Sequence, residues 1–295
     1  RPGMPANPEH RKNHPVNNLR PNFRLTFHPW WVGLLLLGLV AGNLQAQSRV
    51  KNLDQPQFSN LDALNPSLLD GSRRVITLTY TAYQTAFDPL FQQPIWVSYN
   101  LNRERVGGGA ERSSGFWNEP RLKSQDASDE DYKGSGMDRG HLVPAADMAW
   151  SVRTMHESFS YANVSPQRPG FNRGIWKRLE NQVRTWASDL SANDTLGLMV
   201  WAGPVLEPEP DRWGSLWVPT RFYKIIYHPA QNRVVACLMQ NASSQEDISA
   251  TMVTVDSIEN ITGLDFLAGL PDDDEERLES GLCRTCWVWT KPVRR

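Results

Sequence analysis

A chain of 295 residues with 40% hydrophobic content and twelve tryptophans has enough for one large or two small domains and a sizeable core. Its formal charge of −1 averages two populations: residues 1–46 carry five basic groups against Glu9 alone, and the remainder, with 26 basic and 31 acidic groups, stands near −5. An acidic body does not draw in a polyanion by net charge, so any such binding must come from a local patch or a metal ion.

Residues 1–28 are rich in Pro, Asn, Arg and His without apolar periodicity and read as a disordered basic N-terminus. The apolar run Trp30–Gly42 follows Arg20 and Arg24 and ends in Asn43-Leu-Gln-Ala46. At thirteen residues the run is short of the roughly twenty that a membrane span needs. A basic flank, a short apolar region and a small-residue site predict a signal peptide over 29–46, with an uncleaved anchor as the alternative. Export to the periplasm or medium, with no stable membrane partner after cleavage, is the corresponding expectation.

Residues 47–73 read as a polar lead-in. Arg74–Tyr83 alternates β-branched and aromatic positions, Phe87-Asp-Pro-Leu makes a turn, and Pro94–Tyr99 completes an antiparallel hairpin. Gly107–Asp131 reads as a long surface loop, a length that often carries function. Met155–Tyr161 predicts a short helix or turn. The clearest helix runs from Asn172 to Leu190, where Ile175, Leu179, Val183, Trp186 and Leu190 form one apolar face. Leu196–Ala202, Phe222–Tyr227 and Val234–Met239 predict strands, and Val253–Thr262 a short helix. The run Pro271–Glu276 reads as solvated, so the domain is bounded at 74–270 and 271–295 becomes a tail. This pattern is an α+β fold on an antiparallel sheet core.

Cys237, Cys283 and Cys286 are too few for a four-ligand zinc site. In an exported chain Cys283 and Cys286 can pair locally, with Cys237 buried and free. His156 and His228 show no partner pattern and read as exposed.

The chemistry concentrates in Gly134–Asp147, where Asp138-Arg139-Gly140-His141 sets an acid, a guanidinium and an imidazole side by side. An imidazole near its ordinary pKa of about 6.5 suits a general base. The guanidinium of Arg139 offers a planar fork to phosphate. Asn172 and Glu180 are oxygen donors of the kind that Mg²⁺ accepts, with Mn²⁺ as the alternative ion. Asn172, Trp176, Glu180 and Arg184 recur every four residues and are expected to form one row along the helix. Arg139, Arg173, Lys177, Arg178 and Arg184 are expected to line one groove.

The blocks Asp131–Asp147, Asn163-Val-Ser-Pro-Gln167 and Phe171–Glu180 together resemble the DNA/RNA non-specific endonuclease family, ββα-metal nucleases, nearest to its mitochondrial endonuclease G branch. The resemblance implies a nuclease that cuts DNA and RNA to 5′-phosphate products, in many members as a homodimer. It implies His141 as the base, Asn172 as the one protein ligand of a hydrated Mg²⁺, and Glu180 as the carboxylate holding its waters. Arg139 and Arg184 fall on phosphate-binding arginines and Asn163 on a further asparagine of the site. The catalytic set is thus His141, Arg139 and Glu180, the substrate-binding set Arg184, Asn163 and Asp138, and the metal ligand Asn172. Two rival readings are a phosphodiesterase acting on another polyanion or a small nucleotide, and a non-catalytic nucleic-acid-binding protein.

Overall fold

Seven antiparallel strands organise the computed structural model, which describes residues 64–71, 73–207 and 211–290. In chain order the strands are β1 (Ser67–Leu68), β2 (Ile76–Thr79), β3 (Tyr83–Asp88), β4 (Gln93–Leu101), β5 (Asp138–His141), β6 (Val164–Gln167), β7 (Leu198–Val205), β8 (Asp211–Trp213), β9 (Leu216–Val218), β10 (Arg221–His228), β11 (Arg233–Gln240), β12 (Met252–Val253) and β13 (Leu264–Asp265). The main sheet runs β12-β11-β10-β7-β4-β3-β2, while β5–β6, β8–β9 and β1–β13 form separate two-stranded ribbons. The helices are α1 (Asp129–Tyr132), α2 (Val152–Glu157), α3 (Lys177–Ser188), α4 (Val255–Thr262) and α5 (Asp272–Glu279).

The central strands are buried on both faces, and all eight residues of β7 are buried. Along β10, Phe222 and Ile226 point into one core and Tyr223, Ile225 and Tyr227 into the other, as the two-residue repeat of a strand requires. The first core is covered by α3 and the residues flanking it, whose Ile175, Leu179, Val183, Trp186 and Leu190 stripe is wholly buried as its spacing predicts. The second is closed by α4 and α5 through Val255, Ile258 and Leu278. The result is helix, sheet, helix: an α+β architecture with an antiparallel core.

Several boundaries differ from expectation. The strand predicted over Arg74–Tyr83 breaks at Tyr80–Ala82, where Tyr80 N donates to Tyr83 O and both the amide and the hydroxyl of Thr81 are drawn off to Glu157. The lead-in contributes to the fold, since Leu64 is buried and β1 pairs with β13. The segment 107–131 is not a plain surface loop: Leu122, Ala127 and Glu119 are buried, and Trp117 bridges to Ser160. The acidic run is a helix that buries Leu278, and the tail beyond it docks on the core. There Trp287 packs against Trp186 at 4.6 Å between ring centroids, and Trp186 Nε1 donates to Val288 O at 2.7 Å. A disulfide joins Cys283 to Cys286, and Cys237 is free and buried. Among the described residues no helix is long and apolar enough to cross a membrane. The predicted signal segment lies outside the described residues.

Candidate active site

The site grows from the β5–β6 ribbon, which pairs Asp138 with Gln167, Arg139 with Pro166, Gly140 with Ser165 and His141 with Val164. Position 140 has no room for a side chain, because a Cβ there would stand 2.2 Å from the Cδ of Gln167. Alternation along β5 sends Arg139 and His141 to the same side, where both meet Phe116. His141 is 9% exposed, with its ring 5.1 Å from Phe116 and edge-on to Phe159 at 4.8 Å. Its Nε2 is buried without a hydrogen-bond partner among the described residues. Burial pushes the imidazolium down to about 3, and the nearby charge of Arg112 adds to the effect. His141 is therefore neutral across the physiological range.

Arg139 is held by Tyr161 Oη at 2.9 Å and by Asp129 at 2.6 Å, between the rings of Phe116 and Tyr132. A third of its side chain remains exposed. Asp138 sits between two residues of the segment that leads into α3. It accepts from Asn172 Nδ2 at 2.9 Å and from the Nε and Nη2 of Arg173 at 2.9 and 2.6 Å. With its nitrogen committed to a carboxylate, the amide of Asn172 has its oxygen left to offer an ion. This donor set fits a hard divalent cation.

Asn172 does not cap α3. It lies in a wider, π-type turn over Phe171–Trp176, in which Gly174 leaves helical geometry at φ −102° and ψ −112°. The four-residue row is accordingly broken. Trp176 is fully buried, and its Nε1 donates to His141 O at 3.3 Å, which fixes the start of the helix beneath the β5 strand. Past it, Glu180 and Arg184 face a buried charged group that the periodicity did not foretell. Lys224, from the middle of β10, is fully buried with its Nζ 3.4 Å from Leu142 O and 4.5 Å from the centre of the Trp176 ring. Asp147, also fully buried, accepts from Tyr99 Oη at 2.9 Å and from Arg184 at 2.5 Å. Burial pushes the Glu180 carboxyl up to about 7, with Lys224 opposing the rise and Asp147 adding to it.

Three residues expected at the substrate also have protein partners. Asn163 is 0% exposed, accepts from Val143 N and donates to the carbonyls of Val143 and Ser158, so it staples the ribbon to α2. Arg184 is committed to Asp147 and Asn181. Asp138 positions Asn172 and Arg173. The expected basic groove also loses Arg178, which donates to the carbonyls of Ser244 and Glu246. His228, expected at the surface, is buried and bonded to Asp194 at 2.6 Å.

Sequence reasoning missed Arg112 and Phe116, because no local pattern links the 107–131 segment to a ribbon that begins at Asp138. The guanidinium of Arg112 lies 4.9 Å over the Phe159 ring that flanks His141. Lys224 was also missed. For Lys224 there was a signal: a lone lysine inside Phe222–Tyr227 demands a buried partner.

The model of the DNA/RNA non-specific endonuclease family matches residues 63–273. The chain is 30% identical to human mitochondrial endonuclease G over 208 residues, covering 64% of this chain and 68% of that protein. It is 33% identical to the nuclease of Serratia marcescens over 203 residues, covering 63% and 72%. It superposes on a crystal structure of the EndoG/EndoGI complex with a TM-score of 0.60 at 26% identity, covering 67% of this chain and 88% of that one. A family match from the first core residue to the start of α5 leaves one placement: the chain belongs to the DNA/RNA non-specific endonuclease family, whose members are hydrolytic nucleases.

Proposed function

We propose that this nuclease cuts DNA and RNA internally, as a ββα-metal enzyme in which His141 is the general base and Asn172 holds one hydrated Mg²⁺, or Mn²⁺ in its place. The observation that carries the reading is the pairing of an orphaned, neutral imidazole nitrogen with an amide whose oxygen is freed by Asp138. A neutral imidazole can accept a proton from water, and an incoming phosphate would favour the resulting imidazolium. Arg139, kept rigid by Tyr161 and Asp129, offers its exposed edge to a non-bridging phosphate oxygen, and Arg112 adds charge on the His141 side. A divalent ion on Asn172 would neutralise phosphate charge and stabilise the departing 3′-oxygen, leaving 5′-phosphate ends. Glu180, in its ionised form, would orient that ion's waters. These contacts recognise the sugar-phosphate backbone and carry no base information, which suits an enzyme without strong sequence preference.

Digestion of plasmid and RNA with and without chelator tests the reading. His141→Ala should cost roughly 10²–10⁴-fold in rate with the fold intact, and near wild-type cutting by that variant overturns the base assignment. A metal requirement left unchanged by Asn172→Ala overturns the ligand assignment independently. End-group labelling of the products checks the 5′-phosphate. We also infer export and a homodimer. The Cys283–Cys286 disulfide supports an oxidising compartment. Fractionation of cells making the full chain tests export, with recovery in a mitochondrial compartment as the opposing result. Sedimentation at working concentration tests the dimer, and a purely monomeric boundary overturns it.

A further inference from the structure

On the sheet face opposite α3, helices α4 and α5 bring together three carboxylates that the nuclease reading does not use. Asp256 and Glu259 lie on α4, and Glu279 is the last residue of α5. One carboxylate oxygen from each falls within 4.8 Å of those of the other two. Glu279 is only 8% exposed, and its Oε1 is buried without a hydrogen-bond partner. Glu259 accepts from Phe266 N at 2.7 Å, which fixes its side chain, and its carboxyl also meets that of Glu279, a contact that an ion between them would replace. Glu275 and Asp265 add negative charge from the rim, and both act on Glu279 in the same sense as Glu259 and Asp256.

Carboxylates this close repel, and burial weakens the screening that would let them coexist. Glu279 also stands at a helix C-terminus, where the exposed carbonyls favour a cation and disfavour an anion. We propose that Asp256, Glu259 and Glu279 form a structural Ca²⁺ site, separate from the catalytic ion. The donor set selects the ion: three protein carboxylates suit Ca²⁺, which accepts six to eight oxygens in flexible geometry, whereas Mg²⁺ keeps most of its waters and takes one or two carboxylates. The half-buried Asp256 and Glu259 keep one side open for waters to complete the coordination. Bound there, the ion ties α5, and with it the docked tail that carries Trp287, to α4.

The full chain carrying Asn172→Ala, which removes the proposed catalytic ligand, isolates this site. Titration calorimetry with CaCl₂ should give about one equivalent, and at roughly tenfold excess over Kd the Tm should rise by about 3–6 °C. Mg²⁺ at the same concentration should give a rise at least several-fold smaller. Adding Asp256→Asn and Glu279→Gln should abolish both the heat and the Tm rise. Because those changes also remove the repulsion, the variant without calcium should melt no lower than its parent. In an otherwise native chain they should leave nuclease activity intact. Asp256→Asn alone, at a half-buried position, should weaken binding at least tenfold and serves if the double variant fails to fold. Absence of Ca²⁺ heat and of any Tm change in the Asn172→Ala protein overturns the site, as does unweakened binding by the carboxylate variants. Neither result bears on the catalytic assignment, which His141→Ala tests by itself.

Discussion

Asn163 has a structural task that its sequence position does not announce. Its amide is satisfied on three sides within the protein, so it holds Val143 and Ser158 in place and has no edge left for phosphate. Asn163→Ala should therefore cost about 1–3 kcal/mol in urea unfolding, the price of stranding buried backbone groups. A raised KM with unchanged stability would instead return the residue to the substrate. Asp138 is a positioning residue by the same logic. With Asn172 holding the ion as proposed, losing such a partner behind the ligand typically weakens the metal 10–100-fold, so Asp138→Asn should raise the Mg²⁺ concentration for half-maximal cutting by about that factor. An unchanged metal dependence would refute the assignment. Cys237 is the opposite case, a thiol with nothing to do. Burial pushes it up to about 12, so it should resist alkylation in the native protein and react only on unfolding, as mass spectrometry can check.

At the scale of elements, the junction between the π-type turn and α3 decides what the site can hold. The turn swings Asn172 toward Asp138, while the regular helix beyond it keeps Glu180 and Arg184 over Lys224 and Asp147. Glu180 then carries a signed pH dependence in the metal-free protein. Its carboxyl is raised from 4.5 to about 7, so between those values the folded protein keeps a proton that the unfolded chain has released. The associated stability is fully present below pH 4.5 and is lost as pH rises through 7. Chelated wild type should lose more Tm between pH 5 and 8 than Glu180→Gln does, the difference cancelling the opposing contribution of His141. Equal slopes in the two proteins would show that Glu180 is already ionised. Divalent metal should remove the difference, since a cation beside Glu180 favours its charged form.

At the scale of the molecule, the tail beyond 270 belongs to the fold. Trp287 is buried against Trp186 on the helix that carries Glu180, its Nε1 donates to Val234 O, and Thr290 is held by Gln182. Trp287→Ala should cost about 3–5 kcal/mol, the usual range for emptying a buried tryptophan site. A chain ending at 270 should fail to fold cooperatively, and a sharp urea transition from that truncation would restore the shorter domain. The acidic body is compatible with a polyanionic substrate because Lys177 at the start of α3 and Arg173 just before it are exposed, while the acidic helices α4 and α5 cover the other face of the sheet.

The sequence by itself determined the α+β pattern, the apolar stripe of α3, the strands on either side of it and the order of His141 and Asn172. Each of these is local: burial on one face imprints a period of two or 3.6 on the residues, and chemistry at adjacent positions can be read directly. Only the tertiary structure decided which groups meet across long separations. It brought Phe116 to His141, Lys224 to Glu180 and Arg184 to Asp147, turned Asn163 inward, and docked Trp287 on Trp186. A period records that a face is covered without recording what covers it. The partners of Asp138-Arg139-Gly140-His141 are therefore fixed by the packing of segments that share no local pattern with it.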